Sequence, residues 1–189
     1  MSQLWLVRHA RPLQADGLCY GRLDLAADAQ ATALAALQLH TALPPDVAAL
    51  RHSPLLRCAQ LAQQLQALRP ALALTADPRL AEMDFGSWEG RTWSAIDRQA
   101  LDAWAADLAG HAPGGGEPLA AMLQRVAAAL RQARAQARQA GGADQVWITH
   151  AGVARCVDWL LGPHATRTPQ AHEWPVQAPV FGGWACIPL

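Results

Sequence analysis

Three short apolar runs, each closed by a charged or imidazole side chain, constrain this chain more than anything else in it. Gln3-Leu4-Trp5-Leu6-Val7 ends at Arg8-His9, Val47-Ala48-Ala49-Leu50 ends at Arg51-His52-Ser53-Pro54, and Val146-Trp147-Ile148-Thr149 ends at His150. Such runs are too short for stable helices and read as buried strands. A further strand is predicted at Leu72-Ala73-Leu74-Thr75, and β-like runs close the chain around Gly183-Trp184-Ala185-Cys186-Ile187.

Helical patterns separate these strands. One runs from about Asp28 to Leu43, with Ala33, Leu34 and Leu37 on one side and Pro44-Pro45 as its stop. The next is predicted to open with Ser53 as N-cap and Pro54 in the first position, followed by Leu55, Ala59, Ala62 and Leu65. A long helix carries the stripe Leu119, Met122, Leu123, Val126 and Leu130, and another follows His150 as far as Leu161. Short helices are predicted between Thr92 and Leu108, with Trp93 and Trp104 as core or cap residues, and a flexible loop over His111 to Pro118. This alternation predicts an α/β fold, a three-layer α/β/α sandwich on a mainly parallel sheet. One domain over residues 1–189 is expected, with a helical and loop insertion at about 84–118 covering the site.

Composition narrows the function. The chain is 52% apolar and 16% charged, with 15 acidic and 15 basic residues, which fits a globular protein without a field that attracts nucleic acid or membrane. Cys19, Cys58, Cys156 and Cys186 are far apart and form no CxxC pair, so neither a zinc site nor a disulfide framework is indicated. No secretory leader and no membrane-spanning run is read, so a cytoplasmic location is expected. Arg131, Arg134 and Arg138 on the long helix read as a solvated face.

In a parallel sheet, the carboxyl ends of the strands share one edge, where ligands bind. Arg8, His9, Arg57 and His150 therefore converge there, beside the backbone N–H groups that open a helix near Ala151 and Gly152. Arginine forks match phosphate oxygens, and a helix N-terminus adds partial positive charge. The residues specify an anion site.

Four motifs carry a resemblance. Leu-Val-Arg8-His9-Ala, Ser53-Pro-Leu-Leu-Arg57-Cys-Ala-Gln, Leu80-Ala-Glu82-Met-Asp-Phe-Gly-Ser-Trp-Glu-Gly90 and Thr149-His150-Ala-Gly152-Val resemble, in order and spacing, the histidine phosphatase superfamily, which includes the phosphoglycerate mutases. Cys19-Tyr20-Gly21-Arg22 and the compact length are similar to its α-ribazole phosphatase branch, which acts in cobalamin biosynthesis. The resemblance implies a phosphoglycerate mutase-like fold and a phosphomonoesterase acting through a phosphohistidine, with a small phosphorylated metabolite as its partner and neither metal nor other cofactor. His9 would be the nucleophile, Arg8 and Arg57 the phosphoryl clamp, and His150 a further contact to the phosphoryl oxygens. Glu82 would be the general acid and base. Ala151 would add a phosphate contact, with Tyr20 and Arg22 contacting substrate.

Alternatives remain open in the sequence. A mutase would return the phosphoryl group to substrate, and a silent domain would only bind phosphate. Asp84 and Glu89 stand close enough to Glu82 to share its task. Ala10-Arg11-Pro12 departs from the Gly and the acidic-threonine pair common in the superfamily, and His52 stands where a small hydroxyl residue is common. Substrate specificity is assigned to loops at Arg11–Ala26 and Trp88–Pro118 and to the tail around Trp184.

Overall fold

Leu4 and Leu6 face one side of the first strand and Val7 the other, and both faces are buried under helices. The computed structural model describes residues 2–47 and 49–189; Ala48, in the predicted second strand, lies outside them. The strands are β1 (Gln3–Arg8), β2 (Ala49–His52), β3 (Leu74–Ala76), β4 (Gln145–Thr149) and β5 (Trp184–Pro188). They form one sheet in the order β3-β2-β4-β1-β5, parallel except for β5, which runs antiparallel along β1.

The helices are α1 (Ala29–Ala42), α2 (Leu56–Leu68), α3 (Arg98–Ala106), α4 (Leu119–Gln139) and α5 (Ala151–Leu161). On one face, Leu39 of α1 and Leu61 and Leu65 of α2 pack with Val7, Leu50 and Ile148. On the other, Met122 and Val126 of α4 and Val157 of α5 pack with Leu6 and Trp147. The result is the expected three-layer α/β/α sandwich, a phosphoglycerate mutase-like arrangement. Strand β4 lies at its centre and every one of its residues is buried, which explains the apolar run Val146-Trp147-Ile148 within it.

Four local expectations change. Leu34 and Leu37 of α1 are 56% and 52% exposed, and the buried face is instead Thr32, Ala35, Ala36 and Leu39. Small alanines let α1 sit close to α2 without a leucine stripe, and the Asp28 carboxylate caps it by accepting from Ala31 N at 2.7 Å. Helix α2 begins at Leu56 with Leu55 as its N-cap, two residues beyond the predicted cap Ser53, whose Oγ accepts from Leu55 N at 3.3 Å. Strand β3 starts two residues later than predicted and ends one later; Leu72 N turns back to Arg69 O after α2. The 111–118 loop is packed down: Glu117 N donates to Asp84 O at 2.8 Å, and Pro113 is buried. A Cβ on Gly114 would stand 2.2 Å from Phe85 O, so glycine allows this close approach.

Candidate active site

Sheet register brings the strand ends level. Arg8 pairs with Thr149 and His52 with Ile148. Beyond the last paired residues, His9 N donates to Thr149 O at 3.1 Å and Ser53 N to Ile148 O at 2.9 Å. Three loops therefore leave β1, β4 and β2 side by side, carrying His9, His150 and Ser53.

His9 is 2% exposed, and its hydrogen bonds fix its tautomer. Nδ1 lies 2.7 Å from Ala10 O, which only accepts, so Nδ1 carries the proton. Arg57 Nε–H donates to Nε2 at 3.3 Å, so Nε2 presents its lone pair. Burial, then the positive charges of Arg57 and Arg8, pushes the His9 pKa down to about 3, which leaves a neutral imidazole at neutral pH.

Arg57 is fully buried one residue into α2. Its Nη1 donates to Leu23 O at 2.8 Å and its Nη2 to Gly21 O at 2.6 Å. Three of the five donors of a guanidinium are thus committed, and the group is held rigidly behind His9. The loop supplying those carbonyls is held in turn by Glu89, whose carboxylate accepts from the backbone of Gly21, Arg22, Leu23 and Phe85 at 2.8–3.1 Å.

His150 is 1% exposed, with its ring 5.1 Å from that of His9. Its Nε2 lies 2.8 Å from Ser53 Oγ. That contact is what the sequence reading missed: Ser53 Oγ orients a histidine as well as accepting from Leu55 N at 3.3 Å at the entry to α2. Burial first, and then the neighbouring Arg57 guanidinium, holds His150 well below the ordinary imidazole pKa.

Glu82 separates from its acidic neighbours. Its Oε2 accepts from Gly152 N, at the start of α5, and its Oε1 from Met83 N, both at 3.0 Å. It lines the cleft with Arg8 and His9, whereas Glu89 is spent on the loop and Asp84 accepts from Gly86 N at 2.8 Å. The backbone around Glu82 is gripped by Arg125 of α4. Its Nη1 donates to Arg79 O and Ala81 O, its Nη2 to Glu82 O, and it pairs with Glu117 at 2.7 Å.

Arg8, His9, Tyr20, Glu82 and Ala151 line one cleft of 390 Å³, and Arg57 and His150 lie sealed against His9 behind it. Arg22 is exposed and outside the cleft lining. Residues 10–12 also stay out of it: Ala10 is buried, and Arg11 pairs with Asp16 in solvent. His52 turns its Nδ1 to Ser53 O, and Trp184 packs on Trp5. Arg155, one turn along α5 from His150, lines the cleft although nothing singled it out in the sequence; the HxGxxR spacing is its only sequence signal. Phe181, whose ring lies 3.8 Å from the Arg8 guanidinium carbon, was likewise unmarked. Among the described residues, no group of three or more His, Cys, Asp or Glu side chains is placed to hold a metal ion.

The family model for the histidine phosphatase superfamily (branch 1) matches residues 4–176. The chain belongs to that superfamily. No curated protein matches it. A phosphoglycerate mutase from Thermus thermophilus is 32% identical over 89% of each chain, with a TM-score of 0.66. The mycobacterial glucosyl-3-phosphoglycerate phosphatase is 27% identical, covering 87% of this chain and 82% of its own, with a TM-score of 0.72. A protein described as mycobacterial hydrolase 1 is 25% identical over 98% of this chain and 90% of its own, at a TM-score of 0.79. Proteins with phosphatase and mutase names thus share this fold, and no helix among the described residues is long and apolar enough to cross a membrane.

Proposed function

We propose that this histidine phosphatase is a metal-independent phosphomonoesterase that passes a phosphoryl group through His9. The carrying observation is the state of that side chain: Nε2 holds a lone pair, fixed by Ala10 O on one side of the ring and Arg57 on the other, in a cleft shared with Glu82. On substrate binding Nε2 gives up its 3.3 Å bond from Arg57, whose Nε–H turns to the phosphoryl oxygens; the freed lone pair attacks phosphorus and the P–O bond to the alcohol breaks. Glu82 gives the leaving oxygen its proton. Glu82 then takes a proton from water as that water attacks the phosphohistidine, and phosphate leaves with His9 and Glu82 restored. Nδ1–H···O=C to Ala10 supports the positive imidazole ring of the intermediate. Arg8, Arg57, His150 and the Ala151 amide supply the charge stabilisation that phosphoryl transfer chiefly needs.

The substrate is a small phosphorylated metabolite, and α-ribazole 5′-phosphate is the candidate drawn from the Cys19-Tyr20-Gly21-Arg22 stretch. Segment 84–118 covers the site and bears specificity. Tyr20 reaches substrate from the cleft wall, and Arg22 does so only if the loop reorders on binding. The phosphoglycerate mutase named among the similar structures gives a second reading, in which the phosphoryl group returns to substrate.

One set of assays tests this. Purified protein should release phosphate from p-nitrophenyl phosphate and α-ribazole 5′-phosphate without added metal, and rapid quench should trap an acid-labile phosphoenzyme. His9→Ala should lose both. Full activity in His9→Ala overturns the mechanism, and isomerisation of 3-phosphoglycerate with little phosphate release establishes the mutase reading.

A further inference from the structure

The cleft has two chemically different ends. Its polar side chains are Arg8, His9, Tyr20, Glu82 and Arg155. The remainder of the wall is almost wholly apolar, built from Leu18, from the 83–108 segment, from Leu119 and Met122 of α4, and from Trp174. Within it, three rings pack against one another as an aromatic box. Trp93 and Trp104 are nearly parallel, 8° apart with centroids at 6.5 Å, and Phe85 stands perpendicular to both, 86° from each at 5.6 and 5.9 Å. Trp93 is 37% exposed, an indole left open beside the reacting centre.

The box is built in advance of any ligand. Trp93 N donates to Gly17 O at 3.0 Å, Cys19 N to Arg91 O at 2.8 Å, and Gly90 N to Cys19 O at 2.9 Å, so the strip carrying Trp93 is laced to the loop carrying Tyr20. Phe85 N is held by Glu89, and Trp104 packs on the buried Trp88 at 5.8 Å. A wall fixed this way loses little entropy on binding.

We infer that this box is the leaving-group subsite, and that it selects phosphate monoesters whose alcohol carries a flat, neutral aromatic ring. The inference rests on the phosphomonoesterase reading for its reaction but not for its binding. A sugar or glycerate there would bring several hydroxyls to a wall whose apolar and aromatic side chains offer only indole N–H donors, that of Trp104 buried and unpaired, and no acceptor, at a cost for each hydroxyl hydrogen left unpaired. A quaternary ammonium also suits aromatic cages. Here, however, the Arg8 and Arg155 guanidiniums line the same cleft, and its one carboxylate, Glu82, already accepts two backbone N–H bonds. Parallel indoles with a perpendicular phenyl instead offer a neutral ring both face and edge contacts.

Alkyl esters with comparable leaving groups test this without the bias of phenolate departure. The comparison is kcat/KM for 2-(1-naphthyl)ethyl, 2-cyclohexylethyl and ethyl phosphates, glycerol 3-phosphate and phosphocholine. The naphthyl ester should exceed ethyl phosphate by about tenfold to a hundredfold, as burial of a ring predicts, and Trp93→Ala should cut that ratio about tenfold. An equal rate for the cyclohexyl ester overturns the flat-ring selection. A lead for phosphocholine or glycerol 3-phosphate, or a ratio untouched by Trp93→Ala, overturns the subsite. Binding of 2-(1-naphthyl)ethylphosphonate, followed by tryptophan fluorescence against ethylphosphonate, needs no turnover. Tighter naphthyl binding with no ester hydrolysed supports the subsite while removing the esterase reading; hydrolysis with no ring preference in rate or binding removes the subsite alone.

Discussion

Adding one methyl group at Gly152 tests the assignment of Glu82 without touching its side chain. A Cβ there would stand 2.1 Å from Glu82 Oε1, 2.9 Å from its carboxyl carbon and 3.2 Å from Oε2. Ordinary contact begins near 3.4 Å, so the carboxyl group must retreat by about 1 Å and give up the 3.0 Å bond from Gly152 N. The end of a flexible side chain moves cheaply. The lost charge-assisted hydrogen bond costs about 1.5 kcal/mol, and alanine in place of glycine near the start of α5 returns about 0.8 kcal/mol. Stability should therefore fall by no more than about 1 kcal/mol, a few degrees in Tm. Activity should respond far more, because misplacing a catalytic group by about 1 Å costs about a hundredfold. The loss should depend on the leaving group: Gly152→Ala should lower kcat/KM about a hundredfold for an alkyl phosphate and much less for p-nitrophenyl phosphate, whose alcohol departs without a proton. The two rates and a thermal melt decide the matter. Alkyl phosphate turnover within threefold of the parent enzyme refutes the placement of Glu82 as acid; equal losses on both esters point to damage of the phosphoryl clamp instead.

Glu89→Gln provides the contrast. Its carboxylate collects four backbone donors and holds the loop whose Gly21 and Leu23 carbonyls fix Arg57. One amide oxygen cannot replace two carboxylate oxygens, so about 2 kcal/mol of stability should be lost, and aryl and alkyl phosphates should slow by the same factor; a leaving-group-dependent loss would return Glu89 to the list of acids. Acid should unfold the protein through its buried imidazoles. His9 titrates near 6.5 when unfolded and near 3 when folded, so its neutral form contributes full stability above pH 6.5, and that contribution is lost as pH falls toward 3. His150 shifts in the same direction. Each adds a slope of roughly 1.4 kcal/mol per pH unit across its window. Chemical denaturation at pH 7, 6 and 5 checks this, and a stability flat over that range contradicts the burial of both rings.

Much of this was legible before any coordinates. Strands β1 and β4 hold apolar runs because both faces of a central strand are covered, and such runs stand out in any window. The stripe of α4 is also explicit, since its leucines and methionine meet the sheet directly. Helix α1 reads falsely. Its leucines suggest the buried face, but alanines occupy it, and which side of an alanine-rich helix faces inward is decided by its neighbour.

The sequence by itself placed Arg8-His9, Arg57 and His150 beside signals that a strand ends or a helix begins, and offered Glu82 only through the motif it shares with the superfamily. Those signals are local, written in periodicity and spacing, and so survive without a third dimension. Tertiary structure decided everything that depends on a partner far along the chain. Ser53 became the support of His150 across 97 residues, Glu89 a clamp for backbone 66 to 68 residues earlier, and Arg125 the grip on Glu82. It also placed Trp93 and Trp104, read as core or cap residues, in the wall of a cleft. An aromatic side chain looks the same in sequence whether its face meets protein or a ligand, and only packing leaves one face open.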